Sequence, residues 1–270
     1  MKLKDALAGK LSADELAKMG RSFDVIGDIA ILELQKGLGR KAATIGKALL
    51  LTNKNIKTVA LELGEHTGKY RTQKLRILAG EKRFLTLHKE SGVTVKIDVN
   101  NCYFSPRLGS ERLRIARLVK PDERVLVAGS GVGIYPLIIA KHSEAKEIVG
   151  IEWNPLAHKL SQENIVLNKL TARVKAIKGD ARKAQGRFDR MIIAIPHEGV
   201  NFVPALLKNL KSNGTLHVLD FAEETDLEAP ARKLEELCKD AKRKITILSV
   251  TKAGQPGVRR YRVCVDARIH

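Results

Sequence analysis

Val125-Leu126-Val127-Ala128-Gly129-Ser130-Gly131-Val132-Gly133 is the stretch on which the fold turns: an unbroken apolar run that empties into a glycine-rich turn. Such a run, bounded by a turn, reads as a strand buried on both faces. Glycines at its end let the backbone approach a ligand closely at the carboxyl edge of a sheet. Glycine turns join many strands to helices, so this one gains meaning from the two strands after it. Nineteen positions after Gly133, Glu152 closes the next apolar strand, Ile148-Val149-Gly150-Ile151. A carboxylate there can accept both hydroxyls of a ribose. A third strand ends in Gly179-Asp180-Ala181, where the acidic side chain can meet an adenine amino group. Glu152 or Asp180 taken singly reads as readily as a solvated strand-end carboxylate. Three strand ends in series point to an adenosine-containing cofactor held by Gly129, Gly131, Gly133, Glu152, Asp180 and Ala181. A dinucleotide site calls for GxGxxG. The GxGxG spacing here, with an Asp at the third strand end, suits S-adenosylmethionine better than a nicotinamide cofactor.

Outward from this stretch, apolar strands alternate with amphipathic helices. Strands are predicted at Arg124–Ala128, Glu147–Glu152, Val174–Lys178, Arg190–Ile195 and Thr215–Asp220, with two late ones at Ile245–Val250 and Arg260–Ala267. Helices are predicted at Tyr135–His142, Pro155–Asn168, Val203–Leu210 and Ala229–Ala241, and Ser110 is expected to cap a helix over Glu111–Val119. This alternation predicts an α/β fold with a doubly wound, mostly parallel sheet over residues 111–270. Before it, residues 1–110 predict a small α+β domain. One or two short helices fall within residues 3–19, a strand or hairpin lies around Gly27-Asp28, and residues 38–52 are helical. Ile56–Leu63, Leu75–Ala79 and Val93–Val99 are short extended segments.

The chain has 270 residues, with 49 Lys and Arg against 30 Asp and Glu, a formal net charge of +19. The excess divides evenly, +10 over residues 1–115 and +9 over the rest, so it is no basic tail on a neutral body. Folding gains nothing from such self-repulsion, and a polyanionic partner, above all nucleic acid, is expected. A generally Lys-rich proteome is the plainer alternative. Cys102, Cys238 and Cys264 are odd in number and form no CxxC pair, against a disulfide framework or a structural zinc site and in keeping with a reducing cytoplasm. No metal site is expected. No apolar run is long enough to span a membrane, and the charged N-terminus lacks a signal-peptide core. A cytoplasmic location is therefore expected, with no obligate protein partner.

Several segments then carry a family likeness. Ser22-Phe23-Asp24-Val25-Ile26-Gly27-Asp28-Ile29-Ala30, His66-Thr67-Gly68-Lys69-Tyr70-Arg71, Leu78-Ala79-Gly80-Glu81 and Tyr103-Phe104-Ser105-Pro106-Arg107-Leu108 with Glu111-Arg112 appear in order. Glu152-Trp153-Asn154-Pro155, Glu163-Asn164-Ile165, Gly179-Asp180-Ala181-Arg182 and Asp189-Arg190 continue the series. Together they resemble the archaeal and eukaryotic tRNA guanine-37 N1-methyltransferases, whose superfamily includes the wybutosine-pathway aminocarboxypropyl transferases. The likeness spans roughly residues 20–270, and Phe104–Leu108 is its most specific part. It implies a small tRNA-contacting domain ahead of a class I, Rossmann-like methyltransferase domain. The further N-terminal domain of many members, which reads the outer corner of tRNA, is not expected within these 270 residues. The family pattern has Asp-Met-Phe-Ala-Gly before the Val-Gly or Ile-Gly of its turn, where this chain has Val127-Ala128-Gly129-Ser130-Gly131. The methyltransferases carry Asn-Leu-Pro after the fourth strand, where this chain has Ala194-Ile195-Pro196. The aminocarboxypropyl transferases also lack that asparagine, and usually lack an arginine at the position of Arg107. The chain falls between the two patterns.

Guanine N1 keeps its proton at neutral pH, so methylating it takes a base and a group that stabilises charge on O6. An always-charged, donor-rich arginine suits the second task, and the resemblance makes Arg107 the catalytic candidate, with a phosphate-binding or ion-pair role as the alternative. The resemblance also implies that Ser105 and Arg112 sit near the methionine part of the cofactor. His66, Lys69, Arg71, Lys74 and Arg76 form a basic strip that either contacts tRNA phosphates or is a solvated face. Tyr70, Tyr103 and Trp153 are candidates to stack on an extruded base, though each reads more readily as core. His197 comes directly after Pro196, near the expected base pocket. Three functions stay open: N1-methylation of guanine 37, aminocarboxypropyl transfer to a tricyclic position-37 intermediate, and a catalytically weakened RNA-binding homologue.

Overall fold

The computed structural model describes residues 3–19, 23–64, 67–195, 199–257 and 259–270. The chain divides into two compact units. One takes in the chain up to Lys89 together with Lys96–Pro106; the other joins Glu90–Val95 to Arg107–His270.

In the first unit, α1 (Leu3–Leu7) and α2 (Ala13–Lys18) are the two short helices expected at the start. Ser12 stops the chain between them. Its Oγ accepts from the Glu15 amide at 3.2 Å while the Ser12 amide donates to Glu15 Oε2 at 2.8 Å, a reciprocal cap for α2. β1 (Asp24–Ile26) and β2 (Ile29–Leu32) form the hairpin at Gly27-Asp28, followed by α3 (Ala42–Thr52), β3 (Thr58–Glu62) and β4 (Leu75–Gly80). The sheet order among the described residues is β1-β2-β3-β4, with β2 and β3 parallel and the other pairs antiparallel. Ile45 and Leu49 of α3 pack with Leu7, Leu32, Leu38 and Val59 into this unit's core. The Asp28 carboxylate takes a forked pair from Arg83 at 2.9 and 2.6 Å and a bond from Thr86 Oγ at 2.7 Å, so the hairpin turn is tied to the chain some 55 residues on. β5 (Leu85–Glu90) and β6 (Val93–Asp98) form a two-stranded ribbon. β5 is absent from the strands predicted above, because Leu-Thr-Leu-His-Lys-Glu carries too little apolar alternation to stand out.

The second unit starts with α4 (Gly109–Leu118), reached through a 3-10 turn at Pro106–Leu108. Ser110 is not its cap: Leu108 holds that position without a side-chain bond. The preceding turn has already wound the chain by the time it reaches Ser110. Then come β7 (Arg124–Ala128), α5 (Ile134–His142), β8 (Glu147–Glu152), α6 (Pro155–Leu167), β9 (Val174–Lys178) and β10 (Phe188–Ile193). The unit ends with α7 (Val203–Leu206), β11 (Leu210–Glu223), α8 (Ala229–Asp240), β12 (Ile245–Gly257) and β13 (Arg260–Ile269). The helix expected over Val203–Leu210 is cut short. Asn209 Nδ2 donates to the carbonyls of Ala184 and Gly186 at 3.0 and 2.8 Å, and its turn feeds Leu210 into β11.

Among the described residues the sheet has seven strands in the order β12-β13-β11-β10-β7-β8-β9. β11, β10, β7, β8 and β9 run parallel, and β13 is antiparallel to both neighbours. The fold is the expected α/β class, a mixed and mostly parallel sheet preceded by a small α+β unit. From β7 the chain goes outward through β8 and β9, then returns to the other side at β10. The gap between β7 and β10 is thus the topological switch point, where the carboxyl ends of parallel strands leave room for a ligand.

Candidate active site

The glycine turn leaves β7 at this switch point. The amides of Gly129 and Ser130 donate to the Ile151 carbonyl at 3.0 and 3.1 Å, which clips the turn to the end of β8. Gly129, Gly131 and Gly133 all have positive φ, at +73°, +57° and +89°. Space excludes side chains as well. A Cβ on Gly129 would lie 2.7 Å from Ile195 Cγ1, and one on Gly133 would lie 2.5 Å from Ser161 Oγ. From α6, Asn164 Nδ2 donates to the Val132 carbonyl at 2.9 Å and fixes the far side of the turn. Ser161 and Asn164 therefore shape the turn. In the sequence, Asn164 stands out only as part of a family likeness and Ser161 not at all; their helical spacing of three was the signal available.

Glu152 is the centre of the arrangement. Its Oε2 accepts from the Gly131 amide and its Oε1 from the Asn154 amide, both at 2.7 Å. Asn154 in turn caps α6 through bonds from the amides of Leu156 and Ala157. Burial pushes the Glu152 carboxyl upward, against the downward pull of the amides of Asn154, Gly131 and Trp153. A carboxylate has about four acceptor sites, so one so fixed still has capacity for a diol. The Gly179 amide donates to the Glu152 carbonyl at 2.9 Å, bringing the end of β9 beside the end of β8. Asp180 caps the short turn Ala181–Lys183 and pairs with Arg182 at 2.6 Å, which holds its carboxyl below the usual range. Ala181 is buried against the core.

Arg112 is 2% exposed. Its Nε and Nη2 fork onto Glu90 at 2.7 and 2.6 Å, and its guanidinium lies 5.8 Å from the Tyr135 ring in the first turn of α5. Arg107 is exposed on the turn before α4, with Nη1 3.5 Å from the Gln255 carbonyl. Ser105 belongs to the first unit. In that unit Lys69, Lys74 and Arg76 are exposed and Arg71 is partly so. Tyr70 and Trp153 are 38% and 40% exposed, so these two are not core residues. Ser22, His66, Pro196 and His197 lie outside the described residues.

A largely buried ionic chain joins α4 to the sheet, and the sequence reading named only Glu111 and Arg190 of it, without their pairings. Asp266 accepts from His217 Nδ1 at 2.6 Å, from Arg114 Nη1 at 2.7 Å and from Ser249 Oγ at 3.0 Å. Arg114 also forks onto Glu111, while Arg190 meets His217 Nε2 at 2.7 Å and forks onto Glu123. His217, Cys264 and Asp266 lie close enough to suggest a metal centre. Arginines flank them, and both His217 ring nitrogens are already engaged, so the group works as a hydrogen-bonded clamp between α4 and the sheet. No helix among the described residues is long and apolar enough to cross a membrane.

The sequence matches the TRM5/TYW2 methyltransferase domain over residues 86–247 and the TYW2 N-terminal domain over residues 3–83. It is 33% identical to the tRNA (guanine(37)-N(1))-methyltransferase Trm5b of Pyrococcus abyssi, over 92% of this chain and 74% of that one. It is 31% identical to the tRNA(Phe) (4-demethylwyosine(37)-C(7)) aminocarboxypropyltransferase of Methanocaldococcus jannaschii, over 93% of this chain and 98% of the relative. The solved complex of aTrm5 and tRNALeu superposes with a TM-score of 0.89 at 29% identity, covering 100% of this chain and 78% of that one.

Proposed function

Since the chain belongs to the TRM5/TYW2 methyltransferase family, we propose that it methylates N1 of guanine 37 in tRNA, using S-adenosylmethionine. Members of the family bind S-adenosylmethionine or its analogues. The donor set fits that group: Glu152 is aligned by two backbone amides to receive a ribose diol, beside a turn that keeps its backbone bare. Asp180 and Ala181 would flank the adenine. Ser105 and Arg112 are assigned to the methionine end, Arg112 with its fork already set by Glu90. When bound, the cofactor supplies an electrophilic methyl group on a sulfonium.

Arg107 donates to guanine O6 as a general base takes the N1 proton, so that negative charge gathering on the base meets a permanent cation. In the first unit the exposed Lys69, Lys74 and Arg76 would meet tRNA phosphates, contacts that hold the substrate without reading its bases. The methyl reading is supported by the 33% identity to a guanine-37 methyltransferase, in a chain that keeps an exposed arginine, Arg107, within its family-like Phe104–Leu108 stretch.

Ala194 favours a second reading, aminocarboxypropyl transfer. At the end of β10 it offers its backbone amide to the Ala128 carbonyl at 2.9 Å and no polar side chain to a base. One assay separates the readings. Purified protein is incubated with unmodified tRNA bearing G37 and with cofactor labelled separately in its methyl and aminocarboxypropyl groups. Methyl transfer to G37 is the expected result. Transfer of the other label, to a pre-modified tRNA, would replace it with the second reading. Neither label with retained tRNA binding would leave an RNA-binding homologue.

A further inference from the structure

The strand ends at the ligand edge are not equally open. Glu152, at the end of β8, is aimed by the amides of Gly131 and Asn154, at 2.7 Å each. Backbone donors of that kind stay in place when a ligand arrives. Asp180, at the end of β9, is held by a side chain. Its Oδ1 accepts from the Arg182 amide and from Arg182 Nε, both at 3.0 Å, and its Oδ2 accepts from Nε at 3.0 Å and from Nη2 at 2.6 Å. Four contacts thus meet about four acceptor sites. An amino group that is to bind Asp180 must take a place that Arg182 fills.

Arg182 is placed to yield it. The bond from its amide caps the Ala181–Lys183 turn and does not depend on the side chain, so the turn keeps its shape when the fork opens. The Arg182 side chain is 49% exposed, against 15% for that of Asp180, so donors that leave the carboxylate pass to water. The guanidinium already lies over the Phe202 ring, at 5.3 Å, and that contact can keep it once the fork has opened. An exposed pair of this kind contributes little to stability. Only two residues from its acceptor, the cation nonetheless stands at high effective concentration whenever no ligand is bound.

We propose that Arg182 is an internal competitor for the adenine subsite: its fork closes the end of β9, and the 6-amino group of the cofactor displaces it toward Phe202. Only molecules with the fork open bind adenine fully, and the apparent affinity falls by that fraction. The spent nucleoside keeps its adenine whichever group has been transferred, so the returning fork also speeds its release. This rests on the reading of Asp180 as the residue that meets adenine, and not on which group is transferred.

The test is titration calorimetry with S-adenosylmethionine in the absence of tRNA, beside the analogue that carries hydrogen in place of the 6-amino group. Arg182→Met keeps a stem over Phe202 and removes every side-chain donor. It should bind S-adenosylmethionine roughly two- to fivefold more tightly than the parent, the range that an exposed ion pair supplies. The gap should narrow as KCl is raised, since salt screens the pair. The analogue has no amino group to offer Asp180 and should bind both proteins alike. Arg182→Lys, which keeps the charge and loses the fork, should fall between them. Lys183→Gln removes an exposed charge that also acts on Asp180, and is the control. In the Arg182→Met background, Asp180→Ala should cost roughly three- to tenfold in S-adenosylmethionine affinity.

Equal or weaker binding by Arg182→Met overturns the competition. An equal gain for the analogue, or in Lys183→Gln, does the same, since it would mean that nearby charge is felt and not the fork. If Asp180→Ala costs nothing in the Arg182→Met background, Asp180 does not meet adenine, and the proposal falls together with that assignment. If Asp180→Ala has its cost while Arg182→Met binds as the parent does, the proposal falls alone.

Discussion

Asp266→Asn is the substitution that the structure makes most costly for its size. The side chain keeps its shape and loses a charge at the point where β13 meets α4, β11 and β12. As a carboxylate, Asp266 receives His217 Nδ1 and Arg114 Nη2 on Oδ1, and Arg114 Nη1 and Ser249 Oγ on Oδ2. Its pKa is driven well below the usual range despite its burial, because His217 and Arg114 donate to it. Asparagine offers one oxygen and one NH2, so in either flip an N–H faces the N–H of Arg114. Hydrogen bonds to charged groups contribute about 1.5–3 kcal/mol each, and breaking one side of a buried pair costs about 3–5 kcal/mol. Arg114 keeps Glu111 and its side chain is 29% exposed. Water therefore recovers part of the loss, and about 3 kcal/mol is the expected destabilisation. For a unit of this size that is a fall of roughly 6–12 °C in melting temperature. Urea unfolding with an unchanged m-value, followed in parallel by calorimetry, measures it. A loss below about 1 kcal/mol would show that the clamp is not what joins α4 to the sheet, and would refute the reasoning.

Other outcomes are expected from the same geometry. Glu152→Gln places an amide NH2 against the amide of Gly131 or Asn154, and cofactor affinity should fall by a factor of ten or more, about 1.5–3 kcal/mol, by titration calorimetry; unchanged affinity would remove Glu152 from the site. Gly133→Ala combines a φ of +89° with a Cβ 2.5 Å from Ser161 Oγ, so a destabilisation of about 1–3 kcal/mol is expected in thermal unfolding. An equally stable variant would mean that the turn relaxes freely. Burial lowers the pKa of His217, so the unfolded chain binds a proton below about pH 6.5 that the folded chain refuses. Stability should therefore fall as pH drops through that window, by up to about 1.4 kcal/mol per pH unit. Glu152, shifted upward, acts in the opposite sense nearer its own range. The measurement is thus the difference between the parent and His217→Asn, and parallel melting curves from pH 7.5 to 5.5 would contradict it.

Much of the second unit can be read directly in the amino-acid order. The bounds of β7, β8 and β9 agree residue for residue with the apolar runs that announce them. β7 and β8 lie inside the parallel sheet and bury both faces, so their burial is written continuously along the chain, whereas β9 is the edge strand and is buried at Val174 alone. The glycine turn, Glu152 and the strand end at Asp180 are legible for a related reason. Each occupies a fixed place at the end of such a run, and local geometry suffices to put those ends side by side.

What the order of residues could not show depends on partners far apart in the chain. β12 and β13 outrun their apolar cores, because antiparallel neighbours satisfy each other's backbone groups whatever their side chains are. Arg112 gave no sign that its fork belongs to Glu90. Asp266, His217 and Arg114 look like ordinary surface residues until the strands pair. A charge is tolerated in a protein interior only beside its counter-charge, and which counter-charge that is depends on the topology of the whole sheet. Periodicity along the chain set where strands and the cofactor turn would lie; only long-range pairing decided which charges would be buried together.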